Sequence, residues 1–368
     1  MPAYGHTNPV LNVARELAKR GNTVLFYSLP KFKQYIEEAG LIYKQYPYKS
    51  NQEIDGRTTR KFGYLFSLIA QVGKYMLPVL LQEAKKEKPD IIAHDSIATW
   101  GKVIAQVTDT PAVSLSTTIA YNRRAFFAYP YVSFQILKQT LLSFDYLSMY
   151  TTYFQISKKY KVSFFKHFSD IAMSKEKLNI VFVARFFQPY SKFFDSSFHF
   201  VGPSIYPRIE KYDYLQKMPK KKKLIYISYG TLVNDDISFY KICIEAFRDS
   251  SYQVIISLGN RFEPSEFSNI PNNILIKKYV NQLAVLEKAS VFITHGGMNG
   301  VSESLYYGVP MVLIPDTHEQ DYNALRVKEI EAGVYLKKER LTKEQLLGAV
   351  ERIFTGEKFT TNARKAQK

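Results

Sequence analysis

Between residues 291 and 320 the chain reads VFITHGGMNGVSESLYYGVPMVLIPDTHEQ, and this stretch gathers the residue types that hold a phosphate. Residues 291–294 form a short apolar run that reads as a strand, ended by His295. Gly296 and Gly297 allow close approach of the backbone, and residues 299–307 have helical spacing with Gly308 as the stop. A helix start offers free N–H groups and the positive end of its dipole, so an anion placed there is stabilised. The expected ligand is a diphosphate. Glycine is also the default at any tight strand-to-helix turn, so the two glycines alone leave a purely structural role open. The spacing carries more: Glu303 lies two turns into the helix, and Glu319 with Gln320 follows the next strand, residues 311–314.

A second set of residues could move protons. His6 follows Gly5 in a turn at a helix start, where loops after parallel strands form clefts. It is a candidate general base, or else a surface turn residue. Asp95 ends the apolar run 91–94 and precedes a helix. A carboxylate there could orient a histidine, as a triad aspartate does, or simply cap the helix beginning near Ile97. His94 is adjacent but should point to the opposite face of the strand.

The elements that must position these groups alternate strand and helix. In the opening, PAYGHTNPVLNVARELAKRGNTVLFYS, Asn8 reads as an N-cap, Pro9 as the first helical residue and Gly21 as the stop before a strand at 23–28. A parallel crossover needs a strand in front of that helix, and only four residues stand before Gly5, so the first strand is expected to be missing. Further strands are expected at 91–94, 112–115, 179–183 and 198–201, then at 224–228, 254–257, 274–276, 291–294 and 311–314. This alternation predicts an α/β protein of two doubly wound domains, residues 1–203 and 224–368, joined by a linker at 204–223. One helix is expected in the tail, at about 343–354, followed by a polar end.

At 368 residues the chain suits two domains rather than one core. The formal charge of +17 invites a nucleic-acid reading, but residues 220–223 are the only tight lysine run, and the other cations fit solvated helix faces. Nucleic acid is therefore not the expected partner, while contact with an anionic membrane stays open. The single cysteine, Cys243, lies among apolar neighbours and reads as a core residue of a reduced, cytoplasmic protein. No run of 18 or more apolar residues suggests a membrane span, and no secretory signal is visible. The aromatic-rich segment 125–153 is interrupted by Lys138 and Asp145.

The 295–320 block, with PAYGH, FVGPS and AFRDSS elsewhere, resembles the UDP-glycosyltransferases, in particular the bacterial macrolide glycosyltransferase family. The resemblance spans residues 2 to about 341 and implies the GT-B arrangement, two Rossmann-like domains facing each other across a cleft. It implies that His295 contacts the diphosphate, Glu303 the ribose, and Glu319 with Gln320 the donor sugar. His6 would be the catalytic base and Asp95 its partner. Gly296, Gly297, Asn299 and Gly300 would supply backbone contacts, and Ser228 and Thr231 resemble a further phosphate contact. Tyr279, Val280 and Gln282 resemble the uracil segment, with Tyr279 able to stack on the base or to serve as an ordinary strand aromatic.

Two departures stand out. Gly300 replaces a Ser or Thr of many relatives, which should weaken one phosphate contact. Asn281 replaces a proline, which should loosen the uracil loop. Phe126, Phe127 and Tyr129 lie where relatives line the acceptor pocket, although aromatic residues there can equally be core. Relatives also continue with a last helix that this chain is expected to lack. No Asp-x-Asp pair is placed for a metal, so no cofactor is expected, with the UDP-sugar as co-substrate. The implied function is an inverting transfer of a hexose from a UDP-sugar to a small hydrophobic acceptor. The rivals are a UDP-sugar epimerase, a membrane glycolipid glucosyltransferase, and a truncated chain that only binds nucleotide.

Overall fold

The computed structural model describes residues 3–47, 60–163, 173–206, 215, 222–230 and 234–367. The chain divides into two compact units, residues 1–54 with 61–205, and residues 55–60 with 206–368. The expected linker, 204–223, lies largely outside the described residues.

The first unit runs α1 (Tyr4–Lys19), β1 (Leu25–Ser28), α2 (Lys33–Glu38), β2 (Ile42–Gln45), α3 (Phe62–Glu87), β3 (Ile92–Asp95) and α4 (Thr99–Thr108). It continues through β4 (Ala112–Ser116), α5 (Arg123–Phe126), α6 (Pro130–Leu141), α7 (Asp145–Tyr160), β5 (Leu178–Val181) and β6 (Phe198–Phe200). All pairing between these strands is parallel, and among the described residues they form two sheets, β1-β2 and β3-β4-β5-β6. Among the described residues no strand precedes α1.

The start of α1 is a correction. The Ala3 carbonyl accepts from the N–H groups of both His6 and Thr7, at 3.0 and 2.8 Å, so residues 4–8 are wound into the helix. Pro9 therefore lies inside it and Asn8 is not its cap. The Pro9 carbonyl accepts from Ser204 Oγ at 2.8 Å, and Asn12 Nδ2 donates to the Ser204 carbonyl at 2.9 Å, which ties α1 to the end of the unit.

By length and composition α3 is apolar enough to cross a membrane, which the sequence reading did not anticipate. Its Phe66, Ile69, Met76, Leu77 and Leu80 instead pack with Trp100 and Val103 of α4 and with Met149, Tyr153 and Ile156 of α7. These contacts make it the central helix of this unit's core.

The second unit holds β7 (Leu224–Ser228), α8 (Ile237–Phe247), β8 (Gln253–Ser257), β9 (Ile274–Lys277), α9 (Gln282–Leu286), β10 (Val291–Thr294) and α10 (Met298–Tyr306). After these come β11 (Met311–Leu313), α11 (His318–Glu329), β12 (Gly333–Tyr335), α12 (Lys343–Thr355) and α13 (Glu357–Gln367). One parallel sheet has the order β12-β11-β10-β7-β8-β9. Every residue of β10 and β11 is buried, which is why both read as unbroken apolar runs. Cys243 is buried in the same core, and burial pushes its thiol well above its ordinary range.

The chain leaves β7 in one direction for β8 and β9, then returns to the other side for β10, β11 and β12. That reversal puts a crevice beyond the carboxyl ends of β7 and β10, the usual ligand position in open α/β sheets. The tail brings a second correction. Residues 357–367 are helical, where a polar end and no further helix were expected, because Phe359 and Ala363 turn inward and α13 packs on α10. The polar residues between them, which dominate the sequence pattern, face outward.

Candidate active site

In the first unit, residues 89 positions apart meet. His6 Nδ1 lies 2.6 Å from Asp95 Oδ2 and 3.0 Å from Thr117 Oγ1. α1 presents His6 in its first turn, β3 ends on Asp95, and Thr117 follows β4, the partner strand of β3. Asp95 makes contacts in two directions. Its Oδ2 faces His6, while Oδ1 accepts from the Ile97 N–H at 3.0 Å; the helix that follows starts later, with Ala98 at its cap. Burial disfavours the Asp95 charge, but His6 and the Ile97 N–H outweigh it and hold the carboxyl below the usual carboxylate range. With Nδ1 engaged, Nε2 is the nitrogen left to take a proton. His94 turns the other way, as expected, with Nε2 3.3 Å from Glu176.

In the second unit, Gly296 at φ +87° turns the chain from β10 into α10. Gly297 caps that helix, and Asn299 and Gly300 are its second and third residues, so their N–H groups belong to its first turn. Ser228 ends β7 directly opposite Thr294. Thr231 lies outside the described residues.

The ring of His295 is clasped by glycines. A Cβ on Gly230 would stand 2.5 Å from His295 Cε1, and one on Gly297 would stand 2.6 Å from Nε2. An edge of the ring reaches solvent, yet the protein around it removes most of its water. That burial pushes the imidazole down to about 4, against the opposing influence of Asp316. His295 is therefore a neutral hydrogen-bond donor at physiological pH and brings no positive charge.

The residues assigned to the nucleoside by resemblance also come together. Gln282 Nε2 donates to Glu303 Oε2 at 2.5 Å, and the Tyr226 hydroxyl donates to Gln282 Oε1 at 3.1 Å. Tyr279 leaves half its surface exposed, its hydroxyl bonded to Asn260, and Val280 beside it is half-buried. Asn281, where a looser loop was expected, is an N-cap. Asn281 is buried and its side chain caps α9 by accepting from the Ala284 N–H at 3.3 Å.

Glu319 and Gln320 open α11 beside this turn. Asn323 Nδ2 bridges Glu319 Oε1 at 2.7 Å and the Gly296 carbonyl at 3.0 Å. Gln320 is buried and accepts the Asp316 N–H at 2.9 Å, so it first braces the 316–320 turn.

A charged cluster escaped the sequence reading. Arg60, which belongs to the second unit, reaches Asp235 with both terminal nitrogens, at 3.0 and 2.7 Å, and Asp316 with Nε at 2.9 Å. Lys338 Nζ lies 3.3 Å from Asp316 and 3.6 Å from Asp236, and 5.3 Å from the centre of the Tyr229 ring, which also neighbours Phe239 at 4.3 Å and His295 at 5.7 Å. Partners 175 and 256 residues away leave no local signal at Arg60.

Of the expected acceptor aromatics, Phe126 and Phe127 meet edge to face at 5.1 Å, Phe127 is exposed, and Tyr129 is half-buried ahead of α6.

A sequence model described as "UDP-glucoronosyl and UDP-glucosyl transferase" matches residues 208–367. The NDP-glycosyltransferase YjiC of Bacillus subtilis (strain 168) is 36% identical over 377 residues, covering 100% of this chain and 91% of the relative. The demethyllactenocin mycarosyltransferase of Streptomyces fradiae is 27% identical over 98% of this chain and 79% of its own length. Among solved structures, the glycotransferase of kitacinnamycin superposes with a TM-score of 0.85 at 25% identity, covering 100% of this chain and 92% of that one.

Proposed function

The chain belongs to the UDP-glycosyltransferase family, a GT-B glycosyltransferase using a nucleotide-sugar donor, and from that premise we propose that it moves a hexose, glucose first, from UDP to a hydroxyl of a small hydrophobic acceptor. Macrolides and phenolics are the acceptors to try. The acceptor oxygen attacks the anomeric carbon from the face opposite the diphosphate, the bond to the diphosphate oxygen breaks with its electron pair leaving on UDP, and configuration inverts. The acceptor proton passes to His6 Nε2, and Asp95 stabilises the imidazolium.

The observation that carries this reading is the 2.6 Å contact between His6 and Asp95. The donor side supports it with Ser228, the N–H groups of the α10 first turn and neutral His295 for the diphosphate, and with the Gln282–Glu303 pair and the Tyr279 ring for the nucleoside. Developing charge on the leaving diphosphate is met by the helix dipole and hydrogen-bond donors. No metal or cofactor is called on, so EDTA should leave the rate unchanged. The lone buried cysteine suits a reducing, cytoplasmic setting.

The test is transfer from UDP-glucose to a panel of macrolides and phenolics, with product configuration read by NMR and UDP binding read by melting temperature. UDP should raise the melting temperature, and product should form with inverted configuration. Absence of UDP stabilisation rules out the donor site. Interconversion of the UDP-sugar without acceptor makes the chain an epimerase instead.

A further inference from the structure

Helices α6 and α7 each have two apolar sides. Their inner sides, Val132 and Ile136 on α6 and Met149, Tyr153 and Ile156 on α7, are buried in the first unit. Their outer sides carry Tyr131 and Phe134, and Leu147, Tyr150 and Phe154, all exposed. Each outer stripe has helical spacing and ends in an exposed lysine, Lys138 on α6 and Lys158 on α7. Between the two helices Leu142 and Phe144 project furthest, at 75% and 90% exposure. The core needs none of these outer side chains, and a run of this extent on one face marks an interaction surface.

Charge decides what it meets. Residues 121–162 contain six basic side chains, Arg123, Arg124, Lys138, Lys158, Lys159 and Lys161, against one acidic side chain, Asp145. All six are exposed. A symmetric contact between two copies would place this face against itself and bring the cations together. An anionic bilayer meets both features at once. Leucine and phenylalanine side chains enter the acyl boundary, tyrosines sit at headgroup level, and lysines on the rim meet lipid phosphates.

We infer that the outer face of α6 and α7 docks the protein on an anionic lipid surface. Docking of this kind is peripheral: the inner sides of both helices stay in the core, and only exposed side chains enter the lipid.

The test is co-sedimentation of the full chain with phosphatidylcholine vesicles, alone or containing about one third phosphatidylglycerol. The protein should pellet with the anionic vesicles only. The double variants Leu147→Ser with Phe154→Ser, and Lys138→Glu with Lys158→Glu, should each lower the bound fraction about tenfold, on the scale of removing two anchoring groups. Both should keep the wild-type melting temperature and its rise with UDP, which separates lost docking from lost fold and from a failed donor site. Absence of vesicle binding, equal binding to neutral vesicles, or full binding by either variant overturns the inference. So does a dimer in light scattering that the Leu147 and Phe154 changes abolish, which would give the face to a second copy.

Discussion

The two histidines, His6 in the first turn of α1 and His295 after β10, are built for opposite tasks. His6 has a carboxylate 2.6 Å from Nδ1, so a proton arriving on the ring finds a waiting counter-charge. Among the described residues His295 has no carboxylate within ion-pair distance, and the glycines around it let protein replace its water. The first can take up a charge, and the second is kept from carrying one. Residue type alone therefore says little about a histidine's role: the partner on the second nitrogen and the water left around the ring decide it.

The largest break in this comparison should come at His6. His6→Ala should lower transfer by roughly 10³-fold, the scale of general-base catalysis, while the UDP-induced rise in melting temperature stays intact. Transfer within threefold of wild type would remove His6 from the mechanism. Asp95→Asn should cost at least about 10²-fold, the lower end of general acid–base effects, since the ring loses the counter-charge that stabilises its protonated form, again with UDP binding unchanged.

Acidification should separate the two sites next. The His295 imidazole falls from its ordinary 6.5 to about 4 on folding, so between those values the unfolded chain holds a proton that the folded chain does not. The stability this provides is complete above pH 6.5 and is lost as pH falls towards 4. It amounts to about 2 kcal/mol once the solvent-facing edge of the ring is discounted. Asp95, shifted down, loses its contribution only below its ordinary 3.8. Urea unfolding at pH 7 and pH 4.5 should show the loss in wild type and a smaller one in His295→Gln. Equal losses would place the source elsewhere.

The smallest expected effect is a gain. A Cβ at Gly300 meets only ordinary contacts, 3.4 Å from Phe292 and 3.8 Å from Thr294 Oγ1. Gly300→Ser should fit, strengthen the first turn of α10 and add a hydroxyl at the phosphate position. Calorimetry should show UDP binding tighter by about threefold to tenfold, the value of one hydrogen bond. Weaker binding would mean that the phosphate does not sit over this turn.

The alternation of strands and helices was legible because buried parallel strands leave unbroken apolar runs, and the 291–320 block was legible because its polar residues fall at fixed offsets. The pairing of His6 with Asp95 came from resemblance, since a separation of 89 positions carries no pattern of its own. The start of α1 was misread because Asn8 and Pro9 imitate a helix start, while the Ala3 carbonyl that begins it has no signature. The tail helix was hidden by its polar outer side, and the capping role of Asn281 by the shortness of the helix it starts, Gln282–Leu286. Neither the neutrality of His295 nor the Arg60 cluster could be read in advance, because both depend on which distant segments close around them.

The glycine clasp around His295 also shapes how this site can change over generations. A replacement at Gly230 or Gly297 collides with the imidazole; exchange of His295 for a smaller residue relieves the collision at Gly297, whereas Gly230 at φ +78° stays strained for any side chain. The order of substitution matters at Gly297, which is closed until His295 changes, while Gly230 stays closed by its own backbone. A random library should recover alanine at Gly297 almost solely alongside a smaller residue at 295, a linkage between positions that single-site scanning would never reveal.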